Sequence, residues 1–194
     1  MKSFEGIPYR DYLWPHVLIS LIPATVLYLI FKILSRAIRE SATPPVNIPE
    51  NALVCFFHGE QIISAVCTRF WKLFSGREIY GLGYHGWTSY VSSSVWPYSI
   101  GWKVIRYQRK GGQKPFDQIL EALRSKASGI IVIGTDSGGP YYSVRPSLIE
   151  LAIKSGRPIV SIRHVASYSL ILKQHHWPLP FTIVRTYISN ASLV

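Results

Sequence analysis

The chain is short of charge, of acidic residues and of cysteine. Charged side chains make up 16% of its 194 residues, against about 25% in an ordinary soluble domain. Acidic residues number 10 and Lys plus Arg 21, giving a formal net charge of +11. Hydrophobic residues reach 48%, which excludes a disordered chain, whose balance is the reverse. Two cysteines, Cys55 and Cys67, exclude a disulfide scaffold and a four-thiolate zinc site. Both lie in apolar runs and read as buried free thiols. Metal-ligand spacing is missing too: His175-His176 is a tandem pair with no other His three or four residues away. No GxxxxGK[ST] or GxGxxG phosphate loop occurs, and there is no internal repeat or low-complexity tract. The basic residues are scattered and carry no nucleic-acid recognition motif, so nucleic acid and metal are not expected partners. Positive charge on a greasy chain fits a membrane surface better.

From Tyr12 to Phe31 there are 20 residues without an acidic or basic charge, taking His16 as neutral. About 20 apolar residues span the hydrocarbon region of a bilayer. Pro15 and Pro23 would kink such a helix, which membrane helices tolerate. Tyr12 and Trp14 suit an interface belt, and Lys32, Arg36 and Arg39 follow directly. The positive-inside rule then puts the remaining chain on the cytoplasmic side. Three readings stay open: a spanning signal anchor, a cleaved signal peptide, and a helix lying in the interface or in a groove of its own domain. Against the signal peptide, the run ends in bulky Tyr28, Ile30 and Phe31 rather than small residues. Ser41–Glu50 holds three prolines and reads as a stiff linker. The expected organisation is a membrane anchor over 1–40, a linker over 41–50 and an α/β domain over 51–194.

Within that domain short apolar runs alternate with helical stripes. Strands are expected at Ala52–Phe57, Ile79–Tyr84, Trp102–Gln108, Gly129–Gly134, Ile159–Val165 and Phe181–Ile188. Helices are expected at Gln61–Phe74, Phe116–Lys126 and Pro146–Lys154, the last with Pro in its first turn and Gly156 as its stop. Trp87–Tyr98 is weakly helical. The pattern predicts a mixed, mainly parallel sheet flanked by helices. In such sheets reactive groups lie beyond the carboxyl ends of strands.

Four strand ends carry candidates. The first runs into His58-Gly59-Glu60, where the imidazole can act as a general base or simply cap a turn. Glu60 can orient that ring or be a solvated first-turn carboxylate. The second ends in Tyr84-His85-Gly86-Trp87, an echo of the first. The third gives Arg106, Arg109 and Lys110 beside Gly111-Gly112, a phosphate or carboxylate clamp or else a solvated basic loop. The fourth runs into Gly134-Thr135-Asp136-Ser137-Gly138-Gly139-Pro140. Its glycines let backbone amides approach an anion or an acyl oxygen, and Asp136 sits where a reacting group would be; the alternative is a tight turn capped by Asp136.

Asp136-Ser137-Gly138-Gly139-Pro140 also matches the nucleophile motif of trypsin-like serine proteases, in the right order after His58 and Asp117. We reject that reading. Those enzymes are disulfide-bonded β-barrels, whereas Asp117 opens an amphipathic helix and another helix follows the motif. Phe56-Phe57 stand where the proteases have small residues.

The ordered set Phe57-His58-Gly59, Gly134–Pro140, Leu151-Ala152-Ile153-Lys154-Ser155-Gly156-Arg157-Pro158-Ile159-Val160 and Trp177-Pro178-Leu179-Pro180-Phe181 resembles the lysophospholipid acyltransferase superfamily, which includes glycerolphosphate acyltransferases. It looks closest to a bacterial branch of unknown function. The resemblance covers roughly residues 50–190. It implies transfer of an acyl chain from a thioester donor, acyl-CoA or acyl carrier protein, to a lysophospholipid or related lipid hydroxyl, with no bound cofactor. His58 would be the base, with Glu60 or Asp136 as its carboxylate partner. Arg106, Arg109 and Lys110, with Ser137, Gly138 and Gly139, would hold substrate. The superfamily's Asp lies five residues after the His, where this chain has Ile63. The branch's Asp-Gly in the second turn is here Trp87-Thr88, and its Pro after Ile-Val is Ser161. The missing Asp keeps a second function open, an inactive relative that binds or helps transport lipids.

Overall fold

Leu53–Phe56 is apolar at every position, and all four residues are buried. A strand turns successive side chains to opposite faces, so a run like this must lie between two covering layers. The computed structural model, which describes residues 14–41, 48–72, 74, 76–84, 103–107, 114–126, 129–136, 140–172, 174–189 and 191, places it so. Leu53 and Cys55 join one hydrophobic cluster, and Val54 and Phe56 the other.

The strands are β1 (Arg39–Glu40), β2 (Leu53–Phe56), β3 (Ile79–Tyr84), β4 (Lys103–Tyr107), β5 (Ile130–Gly134), β6 (Ile159–Ala166), β7 (Ser169–Leu172), β8 (His175–Pro178) and β9 (Ile183–Ile188). Seven form one sheet in the order β1-β9-β6-β2-β5-β3-β4. Every neighbouring pair is parallel except β6 with β9, so the mixed, mainly parallel sheet expected from the pattern is present. β7 and β8 make a separate antiparallel hairpin, which the apolar pattern did not announce. Residues 87–98, read as weakly helical, lie outside the described residues.

The helices are α1 (Trp14–Ala37), α2 (Gln61–Val66), α3 (Thr68–Lys72), α4 (Pro115–Ser125) and α5 (Pro146–Ser155). α4 and α5 begin with the prolines that suit a first helical position, and α5 ends at Gly156 with φ 67°. The single helix expected over Gln61–Phe74 is two, broken at Cys67. The break is fixed from outside: the Glu40 carboxylate of β1 accepts the N–H groups of Arg69 and Phe70, each at 2.9 Å. Those are amides that the start of a helix leaves without an internal partner.

One cluster is formed by α1, α2 and α3 against β2, β5, β6 and β9. The other is formed by α4 and α5 against β2, β3, β4 and β5. Behind it sits Arg157, 3% exposed. Its guanidinium donates to the carbonyls of Leu123 (2.7 Å), Gly129 (2.7 Å), Asn51 (2.9 Å) and Lys126. A single cation thus joins the last turn of α4 to the chain entering β2 and β5, where a helix carboxyl end attracts positive charge.

α1 covers the segment in which the sequence places a membrane anchor. Ala24, Phe31 and Ile38 are buried against the domain, seven residues apart, with Phe31 edge-on to Trp177 at 6.3 Å. Its other side exposes Ile22, Val26, Leu29 and Ile33. Among the described residues, no helix is long and apolar enough to cross a membrane.

Candidate functional site

β2 and β5 are neighbours in parallel register, Phe56 opposite Gly134. The residues that follow each strand therefore emerge side by side, and His58 and Asp136, 78 positions apart in sequence, meet. Asp136 Oδ1 accepts the backbone N–H of His58 at 2.5 Å, and Oδ2 accepts the N–H of Tyr142 at 2.8 Å. Asp136 is buried. It fastens two loops by their backbones, and its hydrogen bonds go to amides rather than to the imidazole.

His58 opens a one-turn 3-10 helix, His58–Glu60. Its ring is half-buried and lies across the end of β5, so that a Cβ at Gly134 would stand 3.4 Å from Nδ1. The His175 ring meets it edge-on, with centroids 5.1 Å apart. Burial lowers the His58 pKa first, repulsion from His175 lowers it further, and attraction to Asp136 opposes both. The balance favours the neutral imidazole, the form able to accept a proton.

Glu60 turns away from that ring. Its oxygens accept Arg163 Nε at 2.9 Å and the N–H of His164 at 3.0 Å. Burial raises its pKa, and those two bonds work against the rise. Arg106 lies in β4, paired with Gly83 of β3. Arg109, Lys110, Ser137, Gly138 and Gly139 lie outside the described residues, as does the His85-Gly86-Trp87 echo.

Sequence reasoning did not pick out Tyr142, Arg163 or the roles of His175 and His176. Tyr142 has φ 60°, a left-handed conformation that costs a side-chain-bearing residue about 1–2 kcal/mol. It is held by its N–H on Asp136, by Phe57 edge-on at 5.0 Å, by the Arg163 guanidinium over its ring at 5.6 Å and by a 3.0 Å hydrogen bond between Oη and His176 Nε2. Arg163 lies in the strand expected over Ile159–Val165, where nothing in the spacing singled it out, and His175 and His176 lie in a hairpin whose short strands lack the alternation that marks a half-buried strand.

Beside the His58 turn lies a cavity of about 280 Å³, lined among others by Cys55, Phe57, Thr135, Val144, Arg163 and Tyr187. Thr135 Oγ1 is buried there with no hydrogen-bond partner among the described residues. Among those residues no group of three or more His, Cys, Asp or Glu side chains could hold a metal ion.

The arrangement of this α/β sheet and its flanking helices has a counterpart among solved structures. One similar solved structure is the 1-acyl-sn-glycerophosphate (LPA) acyltransferase PlsC from Thermotoga maritima, at a TM-score of 0.51 and 12% identity, covering 99% of this chain and 75% of that one. At that identity the likeness is one of fold. No family model matches the chain, and no curated protein matches it.

Proposed function

We propose that the protein is a membrane-associated acyltransferase that moves an acyl chain from a thioester to the hydroxyl of a lysophospholipid or related lipid, with His58 as general base. The observation that carries this reading is the half-buried His58 imidazole, held toward its neutral form at the end of a central parallel strand and next in sequence to Phe57, which lines a largely apolar cavity. The acceptor hydroxyl gives its proton to His58 as its oxygen attacks the thioester carbonyl. The tetrahedral intermediate expels the thiolate, which takes the proton back from His58. No acyl-enzyme forms and no resident cofactor takes part. Asp136 fixes the His58 turn through the backbone. Arg106, Arg109 and Lys110 are proposed to hold the acceptor phosphate, and the 137–139 loop the developing oxyanion.

The donor carrier is acyl-CoA or acyl carrier protein. Of the single-pass and interfacial forms of the anchor, the exposed apolar side of α1, with Lys32, Arg36 and Arg39 near its end, supports the interfacial one, and the sheet is proposed to lie on the cytoplasmic side.

One observation favours a second reading, a lipid-binding relative without turnover. The position where the resembling family carries its Asp is Ile63, buried in the core, and no carboxylate among the described residues hydrogen-bonds the His58 ring. Acyl transfer by detergent-purified protein separates the two. Thioesters on both carriers are offered with a panel of lysophospholipids, and products are read by mass spectrometry. New phospholipid that falls about 10²–10⁴-fold in His58→Ala supports general-base catalysis. Lipid binding without product from either carrier supports the second reading.

A further inference from the structure

The hairpin of β7 and β8 approaches the His58 turn so closely that a Cβ on Gly59 would stand 2.6 Å from the carbonyl oxygen of Gln174. From β8, its second strand, two consecutive histidines reach the site by different routes. His175 meets the His58 ring directly, edge-on, with planes 64° apart. His176 Nε2 bonds Tyr142 Oη at 3.0 Å, and the N–H of Tyr142 holds the Asp136 carboxylate that holds the N–H of His58. One histidine therefore braces the ring and the other braces the backbone beneath it.

We infer that His175 is a positioning residue for His58: its ring sets the orientation of the His58 imidazole and, by opposing a second positive charge beside it, keeps His58 in the proton-accepting form. This rests on the proposed role of His58 as base. It also gives that base an orienting neighbour of a different kind from a carboxylate. Among the described residues, the other titratable or charged groups around His58 are these. Asp136, from the end of β5, pulls its pKa upward. Glu60, in the same turn, is paired with Arg163 of β6. Tyr142 and His176 are bonded to each other. His175 is the imidazole that meets the His58 ring and opposes its protonation.

Two imidazoles that interact strongly titrate as a pair, in macroscopic steps that belong to both, and the inference places His58 and His175 in that regime. The test is histidine-ring NMR of the full chain in detergent, titrated from about pH 5 to 8, with His58→Ala and His175→Phe assigning the two resonances. The inference expects His58 and His175 to report each other's titration in the unaltered protein. In His175→Phe, His58 titrates in one step at higher pH, and His175→Gln does the same because it too lacks the charge. In His176→Phe the coupling persists. Where acyl transfer is measured, the acid limb of its pH profile moves up in His175→Phe, so that the loss is concentrated at low pH. His58 titrating as an isolated site in the unaltered protein, or at an unchanged pH in both His175 variants, overturns the inference. If the His175 variants do not fold, the unaltered protein decides alone. Coupled titration without any acyl transfer refutes the proposed function and keeps the pairing; transfer with independent titrations does the opposite.

Discussion

β2 and β5 bury consecutive residues on both faces, at Leu53, Val54, Ile131 and Val132, whereas β6 and β9 bury only alternate ones. On β6, Val160, Ile162 and His164 point into the core while Ser161, Arg163 and Val165 are exposed. On β9, Val184 and Thr186 are buried between exposed Ile183, Arg185 and Tyr187. The doubly covered half supplies rigidity, and the two loops that meet at the candidate site, those of His58 and Asp136, leave from its strand ends. The singly covered half supplies what surrounds them: Arg163 against Glu60 and Tyr142, and the hairpin that brings His175. A site built across such a seam has the His58 imidazole on the stiff side and its surrounding groups on the side facing solvent.

The sharpest way to break the doubly covered half is Arg157→Met. The variant keeps apolar bulk but removes the guanidinium that donates to four backbone carbonyls, of which that of Lys126 keeps a second donor, the N–H of Gly129. A buried acceptor left unpaired costs about 1–3 kcal/mol, so urea denaturation should show a loss of at least about 3 kcal/mol. A loss below about 1 kcal/mol would mean that water reaches those carbonyls and that this half is not sealed. Next comes Ile131→Ala, in the middle of β5, with an expected loss of about 3 kcal/mol. Val184→Ala on β9 deletes less and lies under one layer, so it should cost about half as much, read from the same denaturation curves.

The doubly covered half was also the legible half. Continuous apolar runs such as Leu53–Phe56 and Ile130–Ile133 announce strands buried on both faces, and the rule that sites lie beyond parallel strand ends brings His58 and Asp136 to one place. Spacing could not say how they meet. Asp136 grips an amide rather than the imidazole, and strand register does not distinguish the two. Nor could the break at Cys67 be read, because the group that caps α3 is Glu40, some 30 positions earlier. Glu60 had a plausible partner two residues away in His58, yet its cation is Arg163, 103 positions on. β7 escaped notice because Leu170, Ile171 and Leu172 are all exposed; a strand without a buried face leaves no period-two signal.

A third contrast lies in pH. His164, fully buried on the covered side of β6, has its pKa lowered by burial from 6.5 to about 3. The folded state holds it neutral while the unfolded chain protonates it. Between about pH 3 and 6.5 the unfolded state therefore binds more protons, and stability rises with pH across that window. The slope reaches about 1.4 kcal/mol per unit only well below pH 6.5, so the fall between pH 6.5 and 4.5 should be about 2 kcal/mol. His164→Gln should flatten this slope even though it lowers stability at neutral pH, which urea midpoints at the two pH values would show. An unchanged slope would assign the pH dependence to other groups. Smaller still is Gly59→Ala, whose new methyl meets the Gln174 carbonyl; overpacking of this kind costs about 1–3 kcal/mol. It should also release His175 from His58, so the NMR coupling weakens along with the melting temperature.

The smallest effect tests the exposed face itself. Val165 stands opposite Arg185, with Ile183 two positions back along β9, and both apolar side chains are exposed at 38% and 44%. Val165→Thr and Ile183→Thr remove apolar surface that folding leaves in water, and both keep the β-branching that suits a strand. Each should change stability by no more than about 0.5 kcal/mol, below the effect of any core change above. A cost above about 1 kcal/mol in purified protein would show that something covers this face in solution. The contrast between the halves would then be one of which layer each recruits, rather than of how many layers each has. A value near zero leaves the open face as it stands, with Arg163 and Tyr187 free to line the cavity beside His58.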